Sequence, residues 1–243
     1  SSNGLVGRVY LISGNIRSYF GLRETNKDLL DKNGELQAYI WKLEKTIAEQ
    51  NLDSVPTNAI LADSLNNFHY EFIPAMVVNN SIALKNNYIT INKGENDGVH
   101  PEMGVISHEG VVGVVRGTSK NFSVIQPLLS TESFLSCKVK GTNSPGTLVW
   151  EAKDYRYASL EGFPRFEKFE KGDTIVTSGF SDFFPQGIIV GVVDGSESQN
   201  DDNFLKLKIK LMSNFGNLQN VLVIKNSSRG ELSKLEKEVY GDN

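Results

Sequence analysis

One cysteine, Cys137, is all that the 243 residues contain, so no internal disulfide and no thiolate metal cluster can form. That usage suits the cytosol and equally an envelope protein that does without disulfides. Histidine is scarce too: His69, His100 and His108 include no pair one helical turn apart, so the paired metal-ligand motif is missing. No apolar run approaches the roughly 20 residues a bilayer span requires, and no signal segment opens the chain. The formal net charge is −4 and there is no broad basic block, which argues against a nucleic-acid binder driven by phosphate contacts. No Gly-x-x-x-x-Gly-Lys-Ser/Thr occurs, and the glycines alternate with strand-like runs instead of opening helices, so no phosphate cradle is expected. Neither cofactor nor metal is expected.

What is present begins with an amphipathic run from about Val9 to Glu49. Leu22, Leu29, Leu36 and Leu43 recur every seven residues, and four residues after each come Asn26, Asn33, Ile40 and Ile47. This is the spacing of a coiled-coil seam, with Leu at the d positions and Asn or Ile at the a positions. Leu at d with Ile at a favours two parallel strands, and a seam Asn fixes register because a misaligned amide would lack a partner. Gly34 and the two asparagines weaken the helix, so an ordinary helix lying on its own domain competes with a dimerising rod. The turn chemistry of Asn51 to Pro56 ends the run. Helix-like periodicity starts within a few residues of Ser1, as in a chain cut close to a preceding element such as a membrane anchor.

Beyond Pro56 the period drops from near 3.6 to 2. Phe68 to Val78 is aromatic and β-branched, with Pro74 marking a bulge or an edge. Tyr88 to Asn92, Gly104 to Val115 with breaks at Gly110 and Gly113, Leu135 to Val139, Leu148 to Trp150, Tyr155 to Ala158, Leu205 to Leu211 and Asn220 to Ile224 read as further short strands between Gly, Pro and Asn turns. That pattern predicts all-β barrels or sandwiches. Gly110 to Val115 echoes Gly187 to Val193, each preceded by a Lys-Gly pair at Lys93-Gly94 and Lys171-Gly172, which suggests two related β-domains.

Chemistry is thin. A two-barrel protein can host a serine protease, with His100 or His108 as base, Asp154 as orienter and Ser178 as nucleophile. Thr177-Ser178-Gly179-Phe180 lacks the Gly-Asp-Ser-Gly surround of that site and reads as a strand end entering a turn. Lys206, Lys208 and Lys210 form a one-sided stripe suited to a solvent face, a protected edge strand or an acidic partner. Phe183-Phe184 is expected in the core.

Two segments carry a resemblance. Ile89 to Val99, holding Gly94, Asp97 and Gly98, precedes Met103-Gly104-Val105-Ile106 and Gly110-Val111-Val112-Gly113. Gly172-Asp173 to Ser178-Gly179 precedes Phe184-Pro185-Gln186-Gly187 and Val190-Gly191-Val192-Val193. Together with Tyr70 to Ala75 and the Tyr19 to Leu22 step into the rod, these resemble the MreC family of bacterial cell-shape proteins. The resemblance implies a single membrane-spanning helix ahead of the rod, absent from this chain, followed by a coiled coil and two β-barrel-like domains at the periplasmic face of the inner membrane. It implies a non-enzymatic scaffold of the wall elongation machinery. Such a scaffold forms a homodimer or a filament, binds a class B penicillin-binding transpeptidase, and connects it to MreD and indirectly to MreB. The expected architecture is a helical rod over 1–55, a discontinuous β-domain from 56–112 plus 188–226, a second β-domain over 113–187, and a flexible tail over 227–243. A trimeric adhesin or fibre subunit is a further alternative.

Overall fold

The computed structural model describes residues 28, 29, 31–36, 70–181, 183–198, 203–226 and 238. The chain divides into two compact units, Ser1–Pro56 and Thr57–Asn243. In the first, residues 28, 29 and 31–36 are helical. The rest of the expected rod lies outside the described residues, as does the tail apart from the helical Glu238.

The described residues of the second unit hold twelve strands: β1 (Tyr70–Asn80), β2 (Ile89–Ile91), β3 (Gly104–Ile106), β4 (Val111–Thr118), β5 (Ser123–Pro127), β6 (Leu135–Val139), β7 (Pro145–Val149), β8 (Tyr157–Pro164), β9 (Thr174–Thr177), β10 (Ile189–Ser198), β11 (Phe204–Leu211) and β12 (Asn220–Asn226). They close into two six-stranded antiparallel barrels, barrel 1 in the order β1-β12-β3-β4-β5-β2 and barrel 2 in the order β10-β11-β8-β7-β6-β9.

Alternation explains the strands. Ile89 and Ile91 point inward around Thr90, Ile125 around Val124 and Gln126, and Leu207, Ile209 and Leu211 around Lys208 and Lys210. Phe163 meets Phe169 edge to face inside barrel 2, ring centroids 5.7 Å apart. The buried residues of the two barrels form one continuous core.

The rings are related. Setting β3, β4 and β5 against β9, β10 and β11, and β2, β1 and β12 against β8, β7 and β6, reproduces every neighbour pair. The barrels therefore share one ring order and differ by a circular permutation, because the strand that comes last in barrel 1 has its counterpart first in barrel 2. The echo seen in the sequence falls on equivalent strands. Gly113 of β4 lies against the β5 backbone as Gly191 of β10 lies against that of β11. Both strands slip register two residues later, between Val115 and Gly117 and between Val193 and Gly195.

The domain boundaries fall elsewhere than the sequence suggested. Residues 113–187 do not make the inserted barrel: β4 and β5 remain in barrel 1, while β10 and β11 complete barrel 2. The echo misled there, because Val111–Thr118 and Ile189–Ser198 are matching members of two rings, not the start and end of one. Gly104 to Val115, with its break at Gly110, folds as a hairpin of β3 and β4 turned at Ser107, whose Oγ accepts from the N–H of Glu109 and of Gly110. Each strand has two neighbours, but not over its whole length: Tyr70–Ala75 of β1 pairs with β12 alone. Pro74 is accommodated because β2 pairs with β1 only from Val77 onward, leaving one side of Pro74 without a ladder.

Candidate functional site

The motif glycines converge on two kinds of place. The first is the turn. Lys93 Nζ donates to Asp97 Oδ1 at 2.6 Å and the Gly94 N–H to Asp97 Oδ2 at 3.1 Å, while Gly98 closes the turn at φ 82°. The hydrogen bond from Lys93 holds the Asp97 carboxyl below its ordinary range. In barrel 2, Asp173 Oδ2 accepts from the N–H of Glu170, and the Gly172 N–H donates to Val193 O. Gly179 and Gly187, both at positive φ, bracket the loop from β9 to β10. Thr177 Oγ1 donates to Pro185 O at 2.6 Å across that loop.

The second place is the junction between the barrels. Phe183 and Phe184, in the β9–β10 loop of barrel 2, lie over Gly104 of β3, where a Cβ would sit 2.2 Å from Phe183 O and 2.8 Å from the Phe184 ring. Phe184 is buried, as the sequence suggested, and Phe183 half-buried beneath the guanidinium of Arg116, 5.9 Å from its ring centre. Gly110 meets Ile189 O in the same way. Beside them Ser107 Oγ and Ser213 Oγ share a buried hydrogen bond of 2.9 Å, Ser213 Oγ donates to Val111 O, and the Asn214 N–H donates to Glu109 Oε2. Glycine is required here because backbone from one barrel lies directly on backbone from the other.

The residues proposed for hydrolysis are engaged separately. Ser178 is buried, its Oγ donating to Ser136 Oγ at 2.8 Å and accepting from the Phe180 N–H. Asp154 is chelated by Arg156, which holds its carboxyl down to about 2. His100 and His108 are exposed, and the ion-pair contact of His108 is to Glu109. The lysine stripe belongs to β11, which runs between β10 and β8 and is no edge. Lys206 pairs with Glu151 and Glu161, and Lys208 with Asp194 while lying 4.3 Å from the Tyr157 ring centre. A shallow groove of about 290 Å³ opens beside them. Hydrogen bonds from Lys153 and Lys206 hold Glu151 down to about 2. These charges satisfy one another.

Of the expected seam residues, Leu29, Asn33 and Leu36 are described, all helical and exposed, with Leu29 at 53% and Leu36 at 56%. Leu22, Asn26, Ile40, Leu43 and Ile47 lie outside the described residues. Sequence reasoning missed the exposed apolar side chains of the barrels. Met76, Val78, Phe122 and Val124 stand out from barrel 1, and Phe134, Phe166 and Phe180 from barrel 2. The available signal was a strand such as Ser123–Pro127, whose outward Val124 is as apolar as its inward Ile125.

The chain resembles known proteins along most of its length. It is 28% identical over 226 residues to the cell shape-determining protein MreC of Listeria monocytogenes, covering 89% of this chain and 74% of that one. With the Haemophilus influenzae protein of the same name it shares 26% identity over 230 residues, covering 90% of this chain and 64% of the other. A solved structure of Listeria MreC superposes with a TM-score of 0.62 at 27% identity, over 79% of this chain and 93% of that one. A complex between penicillin-binding protein PBP2 and MreC from Helicobacter pylori shares the fold, with a TM-score of 0.54 at 16% identity over 65% of this chain and 99% of that one. The barrel core of the rod shape-determining protein MreC matches residues 77–225, more than half of the chain, and on that match the chain belongs to the MreC family.

Proposed function

We propose that this protein is a non-enzymatic scaffold of the bacterial wall elongation machinery. Its rod pairs two copies, or more in a filament, and carries the barrel pair on the outer side of the inner membrane, where it engages a class B penicillin-binding transpeptidase. MreD and, indirectly, MreB complete the chain of contacts toward the cytoplasm. One observation carries the reading: the family motifs are used to press two closed barrels together at Gly104, Gly110, Phe183 and Phe184, not to present a reactive group. A scaffold needs fixed spacing between its docking faces, and a junction of backbone on backbone supplies it. The exposed Leu29 and Leu36 support pairing through the rod, and the PBP2–MreC complex from Helicobacter pylori supports the choice of partner.

The test is cross-linked capture from detergent-solubilised envelope with residues 1–243 as bait. Intact penicillin-binding transpeptidase in the captured fraction is the expected result. Cleaved envelope proteins without that partner, and loss of the cleavage on Ser178→Ala, would replace the scaffold with a hydrolase.

A further inference from the structure

Among the described residues, asparagine precedes glycine at a single step, Asn33-Gly34. Both residues are helical, Asn33 exposed and Gly34 buried. The dipeptide is chemically labile, because glycine has no side chain to keep its backbone nitrogen away from the preceding carboxamide. Once the Gly34 nitrogen has given its proton to solvent base, it can attack Asn33 Cγ. A C–N bond then closes a succinimide ring, the bond from Cγ to the side-chain nitrogen breaks, and that nitrogen takes up a proton and leaves as ammonia. Water opens the ring at either carbonyl, leaving aspartate or isoaspartate at position 33. Water is consumed, ammonia is released, and nothing is oxidised or reduced. The helix opposes the first step. A closed turn commits the Gly34 N–H to the carbonyl one turn back and holds it away from the neighbouring side chain. The turn must open before the ring can form, and Gly34 is the weakest helix former in the stretch 31–36, so opening is easiest here. The two Asp-Gly steps of the barrels, which could close the same ring, are built otherwise. Lys93 Nζ and the Gly94 N–H bind the Asp97 carboxylate, and Lys171 and Lys208 pair with that of Asp194. Those cations hold both groups as anions, which are poor targets for a nitrogen nucleophile.

We propose that Asn33 is a modification site, a spontaneously deamidating residue that is shielded while the rod is paired and reactive while it is not. The inference rests on the rod pairing proposed above. In that pair Asn33 takes an a position and faces the same residue of the second copy. Pairing stabilises the closed helix and lowers the share of open turns, so the shielding grows with protein concentration. The product acts back on the pair. Aspartate at position 33 sets two like charges against each other in the seam, where the amides had fixed the register. Isoaspartate routes the backbone through the side-chain carbon and interrupts the helical hydrogen bonds. Deamidation thus acts on rods that are apart and keeps them apart.

The test holds the full chain at mildly alkaline pH over a range of concentrations and records the solution mass of each sample. Trypsin then releases residues 33–42, in which Asn33 is the sole asparagine, and mass spectrometry follows its conversion to the acid. Conversion is expected to slow about tenfold or more between samples that are monomeric and samples that are paired. Leu29→Asp, which breaks the seam outside this peptide, should hold the monomer rate at every concentration. An equal rate in monomeric and paired samples would overturn the shielding and leave the rod pairing standing. A monomer mass at every concentration would overturn the rod pairing and the shielding with it. No conversion at position 33 in the monomer, under conditions that convert a synthetic peptide of residues 28–42, would overturn the site itself. Asn33→Asp, which installs the product, should weaken pairing about tenfold or more relative to the neutral Asn33→Gln, and equal dissociation constants would overturn the action of the product on the pair.

Discussion

A methyl group at Gly113 would sit 2.2 Å from Gln126 O and 2.6 Å from Pro127 Cα, both backbone atoms of the paired strand. No rotamer can relieve that overlap, so the strands must part. Gly113→Ala is expected to cost at least about 2 kcal/mol in denaturant unfolding. Gly117, four residues along the same strand, has nothing within 4 Å of its Cβ position, and Gly117→Ala should remain within about 0.5 kcal/mol of the parent or gain slightly. Equal losses at the two positions would show that strand flexibility, not close approach, requires glycine. Charge acts at this scale too. Hydrogen bonds from Lys153 and Lys206 bring the Glu151 carboxyl from 4.5 to about 2 in the folded chain. A depressed folded value contributes stability that is present above the unfolded value and lost as pH falls through the folded one. The contribution is therefore lost between about 4.5 and about 2. Asp154, held down by Arg156, and Asp194, held down by Lys171, act in the same direction, weakly because they are exposed. The urea midpoint should fall with pH across this window, and Lys206→Met should shallow that fall. An unchanged slope would mean that the ion pair adds nothing to folding.

The helix and the strands were legible to different degrees. Leu29 and Leu36 are seven residues apart, helical and more than half exposed among the described residues. Leu36→Asp should shift the solution mass toward monomer and leave the near-ultraviolet signal of the barrels unchanged. A mass that does not move would remove the rod as the pairing element. Among the strands, Leu205 to Leu211 was plain because every second residue is apolar, and the structure has β11 over Phe204–Leu211. Ser123–Pro127 went unread because its inward positions include a serine and a proline while its outward Val124 is apolar, which erases the alternation. The Gly104 to Val115 run showed its break at Gly110, but the turn begins three residues earlier, at the buried Ser107. The motif glycines were visible in the sequence but their purpose was not. That Gly104 receives Phe183 and Phe184 from the other barrel is a fact of how the two rings pack, which local periodicity does not encode.

At the scale of the molecule the circular permutation divides the barrels by how they can form. Barrel 2 draws its six strands from one uninterrupted stretch, β6 to β11. Barrel 1 cannot close until β12 arrives, after the whole of barrel 2 has been threaded between β5 and β12, so its ring depends on the longest-range pairings in the chain. A chain ending at Ser213 tests that dependence. Without β12 it loses Val221, Leu222, Val223 and Ile224 from the core and exposes the edges of β1 and β3. Hydrogen exchange should then show Ile89, Ile91 and Ile125 unprotected, while Leu160, Leu207 and Ile209 of barrel 2 retain protection at reduced stability. The reduction follows from the junction, since Phe215 and the Asn80 contact to its carbonyl go with the deleted segment and the continuous core is cut on one side. Loss of protection in both barrels together would make them a single cooperative unit. The junction at Gly104 and Phe184 would then hold each barrel in its fold as well as in its place, and any variant there would be read as unfolding before it could be read as a change in spacing.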